Sequence, residues 1–143
     1  MGNVATSSKV NKNVLTVDLK LRQYSNTTIY TKRNLFVLSP SVQNAYSWFD
    51  VRKVNLDRFQ QKDYKGYLLI RYFDKFLLTD LESFTKQMTP SDKYVNSPKT
   101  GAHWKFLIKP SLHTYQIMNQ QTKNTYFINE VTHPELLKIL SSY

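Results

Sequence analysis

The sequence predicts an α+β fold, built as a single domain with a mixed, mainly antiparallel β-sheet and two or three short helices. The length of 143 residues fits one domain with one hydrophobic core. Apolar residues make up 41% of the chain and aromatic residues 14%, which is typical of a folded protein. Short segments with strand-like patterns dominate, and turn-forming residues separate them.

The N-terminal segments predict a tail followed by strands. Residues 1–12 are small and polar, so we expect a flexible tail and a folded domain over 13–143. Apolar and polar residues alternate over 16–22, which is the two-residue period of a half-buried strand. The segment 28–37 predicts a second strand, or a strand leading into a helix, and the Ser-Pro pair at 39–40 ends it.

The middle of the chain predicts a short helix and three further strands. A short helix is expected at 41–45, and the aromatic and β-branched residues of 46–54 favour a strand. The charged segment 55–66 is expected to be a loop. The nearly continuous apolar run at 67–72 is typical of a central strand, and 76–78 is its expected hairpin partner.

The C-terminal half carries the clearest helix-start signals. The Thr79-Asp80 pair is a typical N-cap signal for a helix over 81–88. A long Pro-, Ser- and Asn-rich loop is expected at 89–102. Three short strands and a terminal helix that Pro opens complete the chain, at 103–109, 115–119, 125–128 and 134–140.

The charge of the chain points to a polyanionic partner. Basic residues outnumber acidic ones by 20 to 10, for a net charge of +10. Residues 1–75 hold thirteen Lys and Arg but five Asp and Glu, and Arg pairs bidentately with phosphate. We therefore expect a nucleic-acid interface in this half, although a charged soluble surface is the alternative explanation. The predicted nucleic-acid-binding residues are Arg22, Lys32, Arg33, Arg52, Lys53, Arg58 and Arg71.

Several classes of protein are excluded by what the sequence lacks. With no Cys, disulfide scaffolds, thiolate zinc sites and cysteine nucleophiles are excluded. No glycine-rich phosphate loop, serine-hydrolase motif or zinc-protease motif occurs. No apolar run approaches the roughly 18–20 residues of a membrane span, and no secretory leader is recognisable, so we expect a cytoplasmic protein without a membrane partner.

The most distinctive local pattern is Asp18-Leu19-Lys20 in the predicted first strand. Residues i and i+2 of a strand project on the same face, so Asp18 and Lys20 are expected to stand side by side. A carboxylate and an ammonium placed in this way can hold Mg²⁺ and orient a water molecule beside a scissile phosphate. A solvated ion pair on an edge strand is the alternative explanation.

The order of segments around this pattern resembles the second half of the restriction-endonuclease-like PD-(D/E)xK nucleases. VDLKL is followed by a polar turn, then by TIYTKRNLFVL, a short predicted helix and YSWFDVRKVN, over roughly 14–80. The resemblance implies a Mg²⁺-dependent DNA endonuclease with Asp18 as the acidic metal ligand and Lys20 as the group that steadies the attacking water. The residues implied to flank the phosphate path are Arg22, Lys32 and Arg33.

The chain departs from that family at the upstream metal-binding Asp, because residues 1–17 contain no acidic side chain. Asp50 is the candidate for the second carboxylate and metal ligand. A second assignment makes Asp50 and Arg52 the D-x-R/K pair, with Asp18 as the upstream acid. A strand-end carboxylate paired with a neighbouring cation is the other explanation for Asp50.

Two functions are therefore open. The first is a Mg²⁺-dependent endonuclease of the restriction or homing type, with Asp18, Lys20 and Asp50 as catalytic residues. The second is a non-catalytic phage or mobile-element protein that needs no cofactor and inhibits or recruits a nucleic acid or a nucleic-acid enzyme. A structural or assembly protein is a third class. Many nucleases of this size work as symmetric dimers, so a homodimer is one arrangement to test.

Aromatic residues are the other candidates for nucleic-acid contact. Tyr24, Tyr30 and Tyr46 lie in the basic half, where they could stack on unpaired bases. Aromatic residues within apolar strands are instead expected in the core. Those predicted core residues are Trp48, Phe49, Tyr67 and Phe76.

Overall fold

A computed structural model of the protein describes residues 4–143. These residues form four α-helices, one π-helical segment and eleven β-strands. The helices are α1 (Val4–Asn13), α2 (Lys53–Gln60), α3 (Leu81–Met88) and α4 (His133–Leu140), and the π-helical segment is Val14–Asp18. The strands are β1 (Arg22–Gln23), β2 (Ile29–Lys32), β3 (Leu35–Leu38), β4 (Ser41–Val42), β5 (Trp48–Arg52), β6 (Lys65–Tyr72), β7 (Lys75–Asp80), β8 (Val95–Ser97), β9 (Gly101–Ser111), β10 (Thr114–Asn119) and β11 (Thr125–Val131).

The strands form one mixed sheet in the order β1-β2-β3-β6-β7-β11-β10-β9-β5. Two short strands lie off this path, since β4 pairs with β6 and β8 pairs with β9. β6 runs parallel to β3 and β4, and the other pairs of described strands are antiparallel. The α+β class and the mixed, mainly antiparallel sheet predicted from the sequence are confirmed, with four short helices in the described chain.

The sheet carries a hydrophobic cluster on each of its faces. The inner cluster joins α2 and α3 to the sheet through Phe59, Phe84 and Phe106. The outer cluster joins the π-helical segment and α4 to the sheet through Leu15 and Leu136. This outer cluster takes no residue from β5, β9 or β10. The π-helical segment and α4 therefore pack on the other half of the sheet.

Two helices begin with side-chain caps. The Asp80 carboxylate accepts a hydrogen bond of 2.8 Å from the Ser83 N–H at the start of α3, which confirms the predicted cap. At α4 the Thr132 hydroxyl accepts from the Glu135 N–H at 3.2 Å, and the Glu135 carboxylate accepts from the Thr132 N–H at 2.8 Å. This reciprocal pair is a capping box, which fixes where the terminal helix begins.

The cap of α3 is coupled to an ion pair. Lys65 Nζ lies 2.6 Å from Asp80 Oδ1. Burial alone would raise the pKa of Asp80, but hydrogen bonds from Lys65 and Ser83 outweigh it, so this pKa lies below its usual value. A carboxylate with a lowered folded-state pKa stabilises the fold at pH values above its unfolded-state pKa, and the contribution is lost as the pH falls through the folded-state pKa.

We expect Asp80→Asn to remove this dependence on pH, because Asn still caps the helix but does not pair with Lys65 as an anion. At pH 7 the variant should be less stable by under about 1 kcal/mol, and the difference should begin to shrink below roughly pH 4 and be lost as the pH falls further, through the lowered folded-state pKa of Asp80. Urea unfolding followed by circular dichroism between pH 3 and 8 measures it. Asp80→Ala, which also loses the cap, should cost about 1 kcal/mol more. A pH-independent difference between wild type and Asp80→Asn would contradict the coupling.

The N-terminal region differs from its prediction. Residues 4–12 of the predicted flexible tail belong to α1, and residues 1–3 lie outside the described residues. The strand predicted over 16–22 is wrong at most of its positions, because its first three residues are π-helical and only its last residue belongs to β1.

The π-helical hydrogen bonding explains why the alternation misled. The Leu19 N–H donates to the Val14 carbonyl, five residues back, at 3.0 Å. This wider turn places Val14, Leu15 and Leu19 on the buried side and leaves Val17 65% exposed. Val17 and Leu19, two residues apart, therefore lie in opposite environments, whereas a strand would bury both.

Other differences come from short turns and tertiary packing. The predicted strand 28–37 is divided into the β2–β3 hairpin, and the predicted helix 41–45 contains β4 instead. The predicted loop 55–66 contains most of α2, because Leu56 and Phe59, one helical turn apart, face the inner cluster. β8 interrupts the long loop predicted after α3. The remaining predicted strands lie within or overlap β5, β6, β7, β9, β10 and β11.

Candidate nucleic-acid interface

Asp18 and Lys20 do not share a strand face. Asp18 ends the π-helical segment, and its Oδ2 lies 3.2 Å from Nε2 of His133 at the start of α4. Lys20 is exposed and has a left-handed backbone, with φ at 59°. The predicted side-by-side arrangement is therefore wrong, because the backbone is not an extended strand at these positions. No motif in the sequence links His133 to Asp18, which lies 115 residues away, so this pairing was not predicted.

The groups around Asp18 are not the donor set that Mg²⁺ prefers. Mg²⁺ takes oxygen ligands at near-octahedral positions, whereas the partner of Asp18 is an imidazole. Over residues 4–143, no three His, Cys, Asp or Glu side chains are grouped so as to hold a metal ion. No further described carboxylate therefore joins Asp18 and His133, and this includes Asp50.

Asp50 pairs with a lysine on the neighbouring strand. It stands opposite Lys105 in the β5–β9 register, and Asp50 Oδ1 lies 3.9 Å from Lys105 Nζ. Both side chains are a little over one-third exposed, at 37% and 36%. This geometry matches the alternative explanation for Asp50, a strand carboxylate paired with a cation.

The seven predicted basic residues are spread over several elements. Arg71 is buried, at 7% exposed. Its Nε donates to Ser7 Oγ at 3.2 Å and its guanidinium carbon lies 4.4 Å from the ring centre of Phe76. Burial lowers the pKa of Arg71, and the side chain contributes to packing beneath α1, with little surface left for a ligand. The other six lie on β1, the β2–β3 hairpin, the β5–α2 junction and α2, at Arg22, Lys32, Arg33, Arg52, Lys53 and Arg58.

The outer surface of β5, β9, β10 and β11 is an open face of the sheet. Trp48 stands opposite Leu107, Leu107 opposite Met118, and Met118 opposite Thr125. Since paired residues of neighbouring strands project to the same side, these four side chains form one row across four strands. The open face comprises Trp48, Asp50, Arg52, Lys105, Leu107, Lys109, Gln116, Met118, Thr125 and Phe127.

A second row runs beside the first. Lys109 stands opposite Gln116, and Gln116 opposite Phe127. In the part of the chain that the structure describes, neither hydrophobic cluster includes a side chain of the open face. Trp48 is 41% exposed and Phe127 is 59% exposed, so two large rings meet solvent on this face.

Trp48 combines an aromatic neighbour with a cation. The ring centre of Tyr46, which is 72% exposed, lies 5.5 Å from that of Trp48. Lys105 Nζ lies 5.6 Å from the centre of the Trp48 ring. With Arg52 and Lys109, the face presents three cations against the single carboxylate of Asp50. Aromatic platforms flanked by cations are the means by which sheets hold unpaired bases and their phosphates.

The sequence prediction assigned part of this surface wrongly. Trp48 is exposed where a core residue was predicted, whereas Phe49 and Phe76 are buried as predicted. Tyr30, a predicted stacking residue, is buried at 6% exposed. A two-residue period in HWKFLIK would have placed Lys105, Leu107 and Lys109 on one face, because Phe106 and Ile108 between them point to the core.

No helix in the described chain is both long and apolar enough to cross a membrane. Comparison with protein-family models and with curated proteins finds no match for this chain.

Proposed function

We propose that this protein binds single-stranded nucleic acid on the open face of its sheet, with DNA as the expected partner. The observation that carries the proposal is the exposed Trp48 ring, with Tyr46 and Lys105 beside it, on a face that no described helix covers. The excess of basic residues over the whole chain supports a polyanionic partner.

The dimensions of the face favour a single strand. Neighbouring strands are about 4.8 Å apart, so roughly 14 Å separate β5, which carries Trp48, from β11, which carries Phe127. Sheet platforms of this width stack two or three unpaired bases. Rings that project from a flat surface stack on a base only where the base is unpaired, so a duplex should bind through its phosphates alone and more weakly.

The proposal is of binding without cleavage. The carboxylates expected to hold Mg²⁺ have other partners, since Asp18 lies beside His133 and Asp50 lies beside Lys105. Neither carboxylate is needed for stacking or phosphate contact on the open face. The endonuclease stays a prediction from the sequence, and the assay below includes an arm for it.

Binding is measured through tryptophan fluorescence. Trp104 is 4% exposed and its Nε1 donates to the Pro90 carbonyl at 3.0 Å, so only Trp48 should respond to a ligand. A 12-nucleotide DNA strand should quench the emission of the wild type. Trp48→Phe should bind within about threefold of the wild type, as measured with a labelled strand, but lose the quenching. The same titration is run with RNA of the same sequence and with duplex DNA.

The cleavage arm uses Mg²⁺, with wild type and Asp18→Ala compared on a gel. Saturable quenching without cleavage supports the proposal. Metal-dependent cleavage that Asp18→Ala abolishes would favour the endonuclease instead. If no oligonucleotide quenches the Trp48 emission, the proposal is contradicted.

The salt dependence should report the three cations of the open face. On single strands, log K falls with log salt by about 0.7 per neutralised phosphate, so a slope near −2 is expected if Arg52, Lys105 and Lys109 each contact one. Lys109→Gln should make the slope shallower by about 0.7 and weaken binding at low salt. Lys138→Gln, an exposed lysine on α4, is the matched control and should leave the slope unchanged. Equal slopes for both variants would contradict contact at Lys109.

A further inference from the structure

We propose that a cleft beside the β1–β2 turn binds one nucleobase, with the phosphate of the same nucleotide held by Arg58 and Lys62. The cleft has a volume of about 180 Å³ and lies between that turn and the C-terminal end of α2. It is separate from the open face and the inference does not depend on it. Two tyrosine rings, two buried apolar side chains and two cations line it, namely Tyr24, Tyr64, Ile29, Phe36, Arg58 and Lys62.

The cations of the cleft are close to its aromatic rings. The Arg58 guanidinium carbon lies 4.6 Å from the centre of the Tyr24 ring, and Lys62 Nζ lies 6.0 Å from that of Tyr64. Within residues 4–143, neither cation forms an ion pair, and Arg58 has only a long hydrogen bond of 3.4 Å to Asn55 Oδ1. No described carboxylate lines the cleft. Its charge is therefore complementary to an anion.

A backbone hydrogen bond holds one side of the cleft in place, and side-chain packing holds the other. The Tyr24 N–H donates to the Ile29 carbonyl at 2.8 Å, which closes the β1–β2 turn. On the other side, Phe59 anchors the end of α2 against Gly66, where a Cβ atom would lie 2.6 Å from Phe59 Cζ. A site that is already formed costs little ordering when a ligand enters.

The size and lining of the cleft select the ligand. A volume of about 180 Å³ equals roughly six water molecules and is below the roughly 300 Å³ at which drug-sized sites begin, so it admits one ring system. Thr31 and Gln61 offer polar groups to the edge of a base. Inorganic phosphate would leave the tyrosine rings unused, and an uncharged aromatic molecule would leave the cations unused. A nucleotide uses both.

The nucleotide has two sources, a free mononucleotide or an unpaired nucleotide of a strand. Calorimetric titration of the whole protein with each of the four nucleoside 5′-monophosphates tests the shared chemistry. At least one should bind about tenfold or more tightly than its nucleoside and than inorganic phosphate. Arg58→Gln should weaken that binding about tenfold, and Tyr24→Leu about fivefold or more.

Lys62→Gln should weaken nucleotide binding several-fold. Lys138→Gln is again the control and should have no effect. No binding at millimolar concentration, equal binding by Arg58→Gln, or full displacement by equimolar inorganic phosphate would overturn the inference. Repeating the titration in Trp48→Ala separates this cleft from the open face, because weakened strand binding at the open face leaves nucleotide binding at the cleft measurable. In that variant, competition by an oligonucleotide would assign the cleft to a strand, and absence of competition would assign it to free nucleotides.

Discussion

Replacement of Trp48 by alanine is expected to weaken binding of a single-stranded oligonucleotide by about 5- to 150-fold. Stacking of one base on an aromatic side chain contributes about 1–3 kcal/mol, measured by alanine substitution. Trp48 is the ring on which the open face depends, since Tyr46 and Lys105 both lie against it. Fluorescence anisotropy of a labelled 12-nucleotide strand at fixed salt measures the change.

Phe73→Ala is the matched control for this substitution. Phe73 lies in the β6–β7 turn and is 42% exposed, against 41% for Trp48, but it is not part of the open face. The variant should bind the strand with unchanged affinity. Thermal unfolding of both variants shows that any loss is not a loss of fold. If Trp48→Ala and Phe73→Ala bind the strand equally well, the open face is not the interface.

The strands were predictable where local pattern and tertiary environment agree. The run at 67–72 is buried on both sides in β6, because helices pack on both faces there, and its continuous apolar character already indicated this. The cap of α3 was predictable for a similar reason. The Asp80 carboxylate accepts a hydrogen bond from an N–H only three residues away, so the local sequence is enough to predict the cap.

The candidate site was less predictable, because its exposure depends on segments far apart in the chain. Trp48 and Phe49 are neighbours of similar chemistry, yet one lies on the open face and the other in the inner cluster. Which face is covered is decided by the π-helical segment and α4, which come from opposite ends of the chain and meet on the other half of the sheet. The pairing of Asp18 with His133 has the same origin, at a separation of 115 residues.

Phe106→Ala is expected to lower the free energy of unfolding by about 3–5 kcal/mol. Phe106 is fully buried on β9, and its ring centre lies 5.2 Å from those of Phe49 on β5 and Phe84 on α3. Truncation leaves a cavity where a strand pair and a helix meet, and both neighbouring rings are held too tightly to fill it. Urea denaturation should show this loss, and the melting temperature should fall by roughly 6–20 °C.

Phe127→Ala gives the comparison that makes this result informative. Phe127 belongs to the same half of the sheet but projects from the opposite side, at 59% exposed. Its truncation should change stability by no more than about 0.5 kcal/mol, while it should weaken oligonucleotide binding if the open face is the interface. If Phe127 is dispensable for stability but needed for binding, its ring serves ligand contact and not folding. A loss of stability at Phe127 as large as that at Phe106 would mean that the outer surface is part of the core and would remove the basis for an open face.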